Sequence, residues 1–198
     1  MKKFAVLVLM ASAGVAMADK APTSGSVLQA AGITGGAVDG FADRAITVVN
    51  LNNVRSFDGA GDANNVIINQ LIAANAQIVG IGWDVTLFAD SPSWLSEMVV
   101  GFGPTSGTLI NLTPAIGDDF PGTQNYSSGG IVDLVALNLN FSLLADGNLR
   151  MEFFEAFDDF ANDWDGIWNG TLTIQWIPTP GALAILGLGG IAAGRRRR

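Results

Sequence analysis

The run at residues 77–88, Gln-Ile-Val-Gly-Ile-Gly-Trp-Asp-Val-Thr-Leu-Phe, constrains the fold more than any other stretch. Val79, Ile81, Trp83, Val85 and Leu87 recur at every second position, the period of a strand with one buried face. Gly80 and Gly82 on the opposite face predict a bend or bulge. Such a strand needs partners, and the chain supplies them as short β-branched pieces. Residues 45–51, 98–102, 108–112, 149–155 and 170–176 read as strands, as do 66–72, where Asn and β-branched content favours strand over a short helix. Residues 131–143 read as another, with Val135, Leu137, Leu139, Phe141 and Leu143 on one face. Asp146-Gly147 predicts a hairpin turn, residues 103–107 a second turn, and residues 117–130 a long polar loop. No amphipathic helical period of useful length interrupts them. The prediction is all-β: an antiparallel β-sandwich, jelly-roll-like, over residues 41–177, behind a flexible lead-in at residues 19–40 that leaves room for one edge strand at its end.

The two ends follow different rules. Residues 1–18 carry Lys2 and Lys3, an apolar stretch, and Ala16-Met17-Ala18 as a cleavage site, which predicts a helical secretory signal. At the other end Pro178-Thr179-Pro180 precedes 14 residues drawn only from Gly, Ala, Leu and Ile, and Arg195, Arg196, Arg197 and Arg198 close the chain. With the Pro-Thr-Pro segment the uncharged run reaches the lower limit for crossing a hydrocarbon core of roughly 30 Å, so a short transmembrane helix is expected. Its five glycines make it a poor helix in water, whereas lipid enforces the helical hydrogen bonds. The arginines would stay on the cytoplasmic side.

This order of Pro-Thr-Pro, apolar run and Arg cluster resembles the PEP-CTERM sorting signal of exported bacterial proteins, with Thr179 standing where the motif has Glu. The resemblance covers residues 178–198. It implies recognition by an exosortase and a cut near Pro180, with signal peptidase and exosortase as partners and at least a transient hold on the membrane. A weaker resemblance concerns the body. The turn Pro104-Thr-Ser-Gly107, and Gly166-Ile-Trp168 ahead of Thr171-Leu-Thr-Ile174, are similar to the proprotein-convertase P domains, which implies a jelly roll.

With both ends set aside, four basic residues (Lys20, Arg44, Arg55 and Arg150) face all 18 acidic ones. That balance argues against nucleic acid and anionic lipid as partners and favours solubility or divalent cations. The chain has no Cys and no His. Disulfides, thiol chemistry and Ser-His-Asp catalysis through Ser91, Ser93 or Ser96 are therefore excluded.

The residues that remain for chemistry are carboxylates and tryptophans. Asp158, Asp159, Asn162, Asp163 and Asp165 form an oxygen-rich loop suited to calcium, although the same composition makes a solvated acidic hairpin and lacks EF-hand spacing. Asp58, Asp62 and Asn64 make a second such turn. Asp84, Glu97, Glu152 and Glu155 offer no spacing that selects a glycosidase pair, and Glu152 and Glu155 fall on opposite faces of a strand. Trp94 and Trp164 lie in loops, where they would meet a ligand such as extracellular polysaccharide. The expectation is an exported, non-enzymatic protein of the cell surface or extracellular matrix. The alternative is a calcium- or carbohydrate-binding module, with an extracellular hydrolase further off.

Overall fold

The computed structural model describes residues 24–29, 44–159 and 163–179, the first of these segments by its backbone alone. The chain forms two facing sheets. One is five-stranded, in the order β1 (Ser24–Gln29), β6 (Leu109–Thr113), β5 (Met98–Pro104), β10 (Asn148–Glu155), β3 (Val66–Leu71). The other runs β2 (Ala45–Ser56), β11 (Gly166–Ile177), β4 (Gln77–Ala89), β7 (Gly122–Ser127). Two short strands, β8 (Val132–Asp133) and β9 (Phe141–Ser142), also pair with β4. Every pairing is antiparallel except β1 with β6. The chain changes sheet at most of its connections, as a jelly-roll-like sandwich does.

Alternation explains the core. β4 turns Ile81, Trp83, Val85 and Leu87 inward, and β11 adds Trp168, Leu172 and Ile174. Across the gap β10 supplies Leu149, Met151 and Phe153, and β5 supplies Val100 and Phe102. Phe153 and Trp168 meet edge to face, with ring centroids 5.4 Å apart, and join the two sheets at their centre.

Four expectations change. Val79 is buried but lies outside the main core cluster, and Ile78 takes its inward place. The reason is a bulge: Gln175 faces Gly80 and Trp176 faces Ile78, so Val79 has no partner on β11. The glycines beside it make room for the next segment, because a Cβ on Gly80 would meet Ile131 at 2.5 Å and one on Gly82 the Gly130 carbonyl at 2.8 Å.

Residues 131–143 are not one strand. Asp133 accepts the backbone N–H groups of Val135 and Ala136, at 2.8 and 3.2 Å, and bends the chain into a turn between β8 and β9. Leu134 is therefore fully buried while Val135 is exposed. The Asp146-Gly147 turn forms, but it carries the chain from β9 in one sheet to β10 in the other and so closes no hairpin. The polar stretch 117–130 contains β7, an edge strand whose single buried side chain is Tyr126. The lead-in does hold one edge strand, as expected, but earlier in it: Ser24–Gln29 pairs with β6 as β1.

The expected signal helix and transmembrane helix lie outside the described residues. Among the described residues no helix is long and apolar enough to cross a membrane.

Candidate functional site

Five strand ends meet at one pole of the sandwich. Gly166, which opens β11, stands opposite Ser56 at the end of β2 and Ala89 at the end of β4. In the other sheet Glu155, which ends β10, stands opposite Met98, which opens β5. Main-chain bonds stitch the loops here: Asp165 N–H to Ser56 O, Asp90 N–H to Asp165 O, Glu155 N–H to Asp58 O, and Ala156 N–H to Glu97 O, all between 2.8 and 3.1 Å.

Two carboxylates point into this junction. Glu155 continues the inward row Leu149, Met151, Phe153 and is 1% exposed. The Ser56 hydroxyl donates to its Oε1, while Oε2 is buried without a partner. Burial pushes the Glu155 carboxyl well above the usual range; the Ser56 hydrogen bond opposes the shift, and the charges of Asp165, Glu97 and Asp159 reinforce it. Asp165 is fully buried, and neither of its carboxylate oxygens has a hydrogen-bond partner. Burial raises it to about 6; the nearby Asp159 backbone N–H tempers the shift, and Asp158, Asp159 and Asp58 add to it by repulsion. Gly166 keeps this space open, since a Cβ there would stand 2.9 Å from Ser56 Oγ and 3.0 Å from Glu155 Oε1.

The remaining sequence candidates are dispersed. Of the acidic loop, Asp158 and Asp163 are exposed, Asp159 is half-buried, and Asn162 lies outside the described residues. Asp165 separates from them because its backbone is already committed to the sheet junction. Among the described residues, no three acidic side chains surround one point in a way that would hold a metal ion. The second oxygen-rich turn is satisfied locally: Asp62 accepts the Asn64 N–H at 2.8 Å, and Asp58 accepts the Asn64 amide at 3.1 Å. Trp94 is 44% exposed, and its backbone N–H donates to Glu97 Oε2 at 2.8 Å. Trp164 differs. Phe88 lies 6.2 Å from it, centroid to centroid, and the Arg55 guanidinium 5.2 Å from the ring centre, so it packs on the sheet's outer face.

The other carboxylates serve separate places. Glu152 sits on the outer face of β10, bonded to Arg150 at 2.7 Å, to the Gly61 N–H and to the Asn65 amide. Asp84 opens onto a shallow groove of about 210 Å³ with Ser127, Ser128, Thr171 and Thr173. Pro178 and Thr179 follow β11 directly, and the Thr179 hydroxyl donates to Ala74 O at 3.2 Å. Pro180, the four arginines at 195–198, Ala16 and Ala18 lie outside the described residues.

Sequence reasoning missed the pairing of Glu155 with Ser56 and Asp165. One signal was available: Glu155 occupies an inward position in an otherwise apolar alternation. That it bonds a hydroxyl 99 positions away, and feels the charge of Asp165, is information the topology alone supplies.

No family model matches the chain, and no curated protein matches it. Among solved structures, the Gt strain of infectious bursal disease virus aligns at 12% identity and a TM-score of 0.36, over 83% of this chain and 36% of that one. The VP2 subviral particle of the same virus aligns at 11% identity and a TM-score of 0.33, over 80% and 41%. The chain thus spans about two fifths of the length of these structures.

Proposed function

We propose that the protein is an exported component of the cell surface or extracellular matrix, delivered by its two terminal signals, with a non-catalytic sandwich as its working body. The observation that carries this reading is the three-part tail of Pro178-Thr179-Pro180, uncharged run and Arg195 to Arg198. Its placement supports the reading. β11 ends at Ile177 and the prolines follow at once, so the tail starts where the last ladder stops and where Pro has no donor to offer it.

The chemistry of the body points the same way. His and Cys are absent. Glu152 is neutralised by Arg150, Glu97 is turned onto the Trp94 N–H, Asp84 stands on an outer face and Glu155 in the interior. Four carboxylates in four environments do not make an acid–base pair.

Intact mass and membrane fractionation of the protein from its native host, with and without exosortase, test the proposal. The expected species lacks residues 1–18 and the arginine-bearing tail, and accumulates outside the inner membrane only when exosortase is present. A species that keeps Arg198 and stays in the inner membrane regardless of exosortase overturns it.

A further inference from the structure

We propose that Glu155 and Asp165, beside the Ser56 hydroxyl, form the buried half of a site for a hard divalent cation of the calcium type, and that the cation clamps the two sheets together at this pole. The inference concerns the folded body and stands independently of the tail.

The first observation is an imbalance in how the fold treats its buried acids. Glu152 receives an Arg guanidinium, a main-chain N–H and an Asn amide. Glu155 and Asp165 are equally buried, yet three of their four carboxylate oxygens make no hydrogen bond, the Asp159 backbone N–H standing near Asp165 without closing one. Buried oxygens without a partner are rare in folded proteins because each forfeits its hydration.

The second observation is the sign of the surroundings. The side-chain charges that act on the pair are those of Asp58, Glu97, Asp158 and Asp159, all negative. A bound divalent cation answers both problems at once, by occupying the bare oxygens and cancelling the repulsion.

The donor set selects the ion. Only oxygens are present, since the chain has neither His nor Cys, which disfavours zinc and copper. Because no three acidic side chains surround one point among the described residues, main-chain carbonyls and water must complete the shell. Calcium accepts such mixed, irregular coordination, whereas magnesium demands a near-ideal octahedron. Ser56 and Asp165 belong to the six-stranded sheet and its entrance, and Glu155 to the five-stranded sheet, so an ion between them cross-links both layers.

The test uses the full chain, stripped with chelator and titrated with calcium chloride at pH 7.5, with magnesium chloride in parallel. Melting temperature should rise by about 5–10 °C at a concentration about 100 times Kd, and less with magnesium. Terbium should show tryptophan-sensitised emission that calcium displaces. Glu155→Gln and Asp165→Asn should each weaken both responses more than about tenfold, while Asp84→Asn leaves them unchanged. Circular dichroism confirms that the variants fold. If either fails to fold, the wild-type response decides alone. A wild-type protein that gives neither response overturns the proposal. So does a response that survives in folded Glu155→Gln and Asp165→Asn, because the ion would then sit on surface acids.

Discussion

Glu152 and Glu155 lie three residues apart on β10, face opposite sides of it, and meet opposite fates: Glu152 is fully partnered, whereas Glu155 has only the Ser56 hydroxyl. The same substitution should therefore act in opposite directions. Glu152→Gln leaves Arg150 buried without its counter-charge and should destabilise by about 3–5 kcal/mol. Glu155→Gln replaces a buried carboxyl, repelled by Asp165, Glu97 and Asp159, with a neutral amide and should raise the melting temperature of chelated protein at pH 7.5. Thermal denaturation of the two variants side by side checks both signs.

The buried pair also sets a pH dependence for chelated protein. The Asp165 carboxyl titrates near 6 in the fold against 3.8 when free, and Glu155 is raised as well, so the folded state holds protons that the unfolded chain releases. The Asp165 part of this stability is complete below about pH 4, falls as pH rises through about 6, and is lost above it. For Asp165 the change is about 2–3 kcal/mol. Denaturant midpoints at pH 5 and pH 7.5 should show the higher value at pH 5, and saturating calcium should shrink the gap.

Gly170 has a φ of +117° beside the bulge between β2 and β11, and a Cβ there would overlap the Asp84 carbonyl. Gly170→Ala should destabilise by about 2–4 kcal/mol, from backbone strain together with overpacking. Gly59→Ala, where a Cβ meets nothing within 4 Å, should change little. Comparing their midpoints isolates the local constraint.

Trp168 and Trp94 divide structure from recognition. Trp168 is fully buried against Phe153, and Trp168→Ala should cost about 3–5 kcal/mol. Trp94 stands 44% exposed, so Trp94→Ala should melt within about 2 °C of wild type. Glycan-array binding by wild type that Trp94→Ala loses would assign this ring a polysaccharide contact.

The strand pattern was legible wherever burial was one-sided. In β2, β11 and the second half of β4, buried residues alternate with exposed or half-buried ones because one face meets the core. The edge strand β7 was invisible for the converse reason: with Tyr126 alone buried, Gly122–Ser127 carries no apolar signature and reads as a loop. Residues 131–143 misled because their alternation is real, but the Asp133 side chain competes for the backbone and bends it first. Placement of the candidate site was harder still. The acidic loop was plain in the sequence, yet which of its carboxylates turns inward depends on the pairing of Gly166 with Ser56, more than a hundred residues away.

The outer border of β4 has a bearing on how such a protein behaves when crowded. Three separate strands, β7, β8 and β9, occupy it in series, and the longest of them has six residues against thirteen in β4 itself. A neighbouring molecule arriving in extended form meets a broken rail on that side, with a fresh turn wherever one short strand gives way to the next. Templated growth of fibrils needs an unbroken rail. Dividing the border into pieces lets the sandwich keep its longest, most apolar strand next to its own surface while denying other copies a place to continue it.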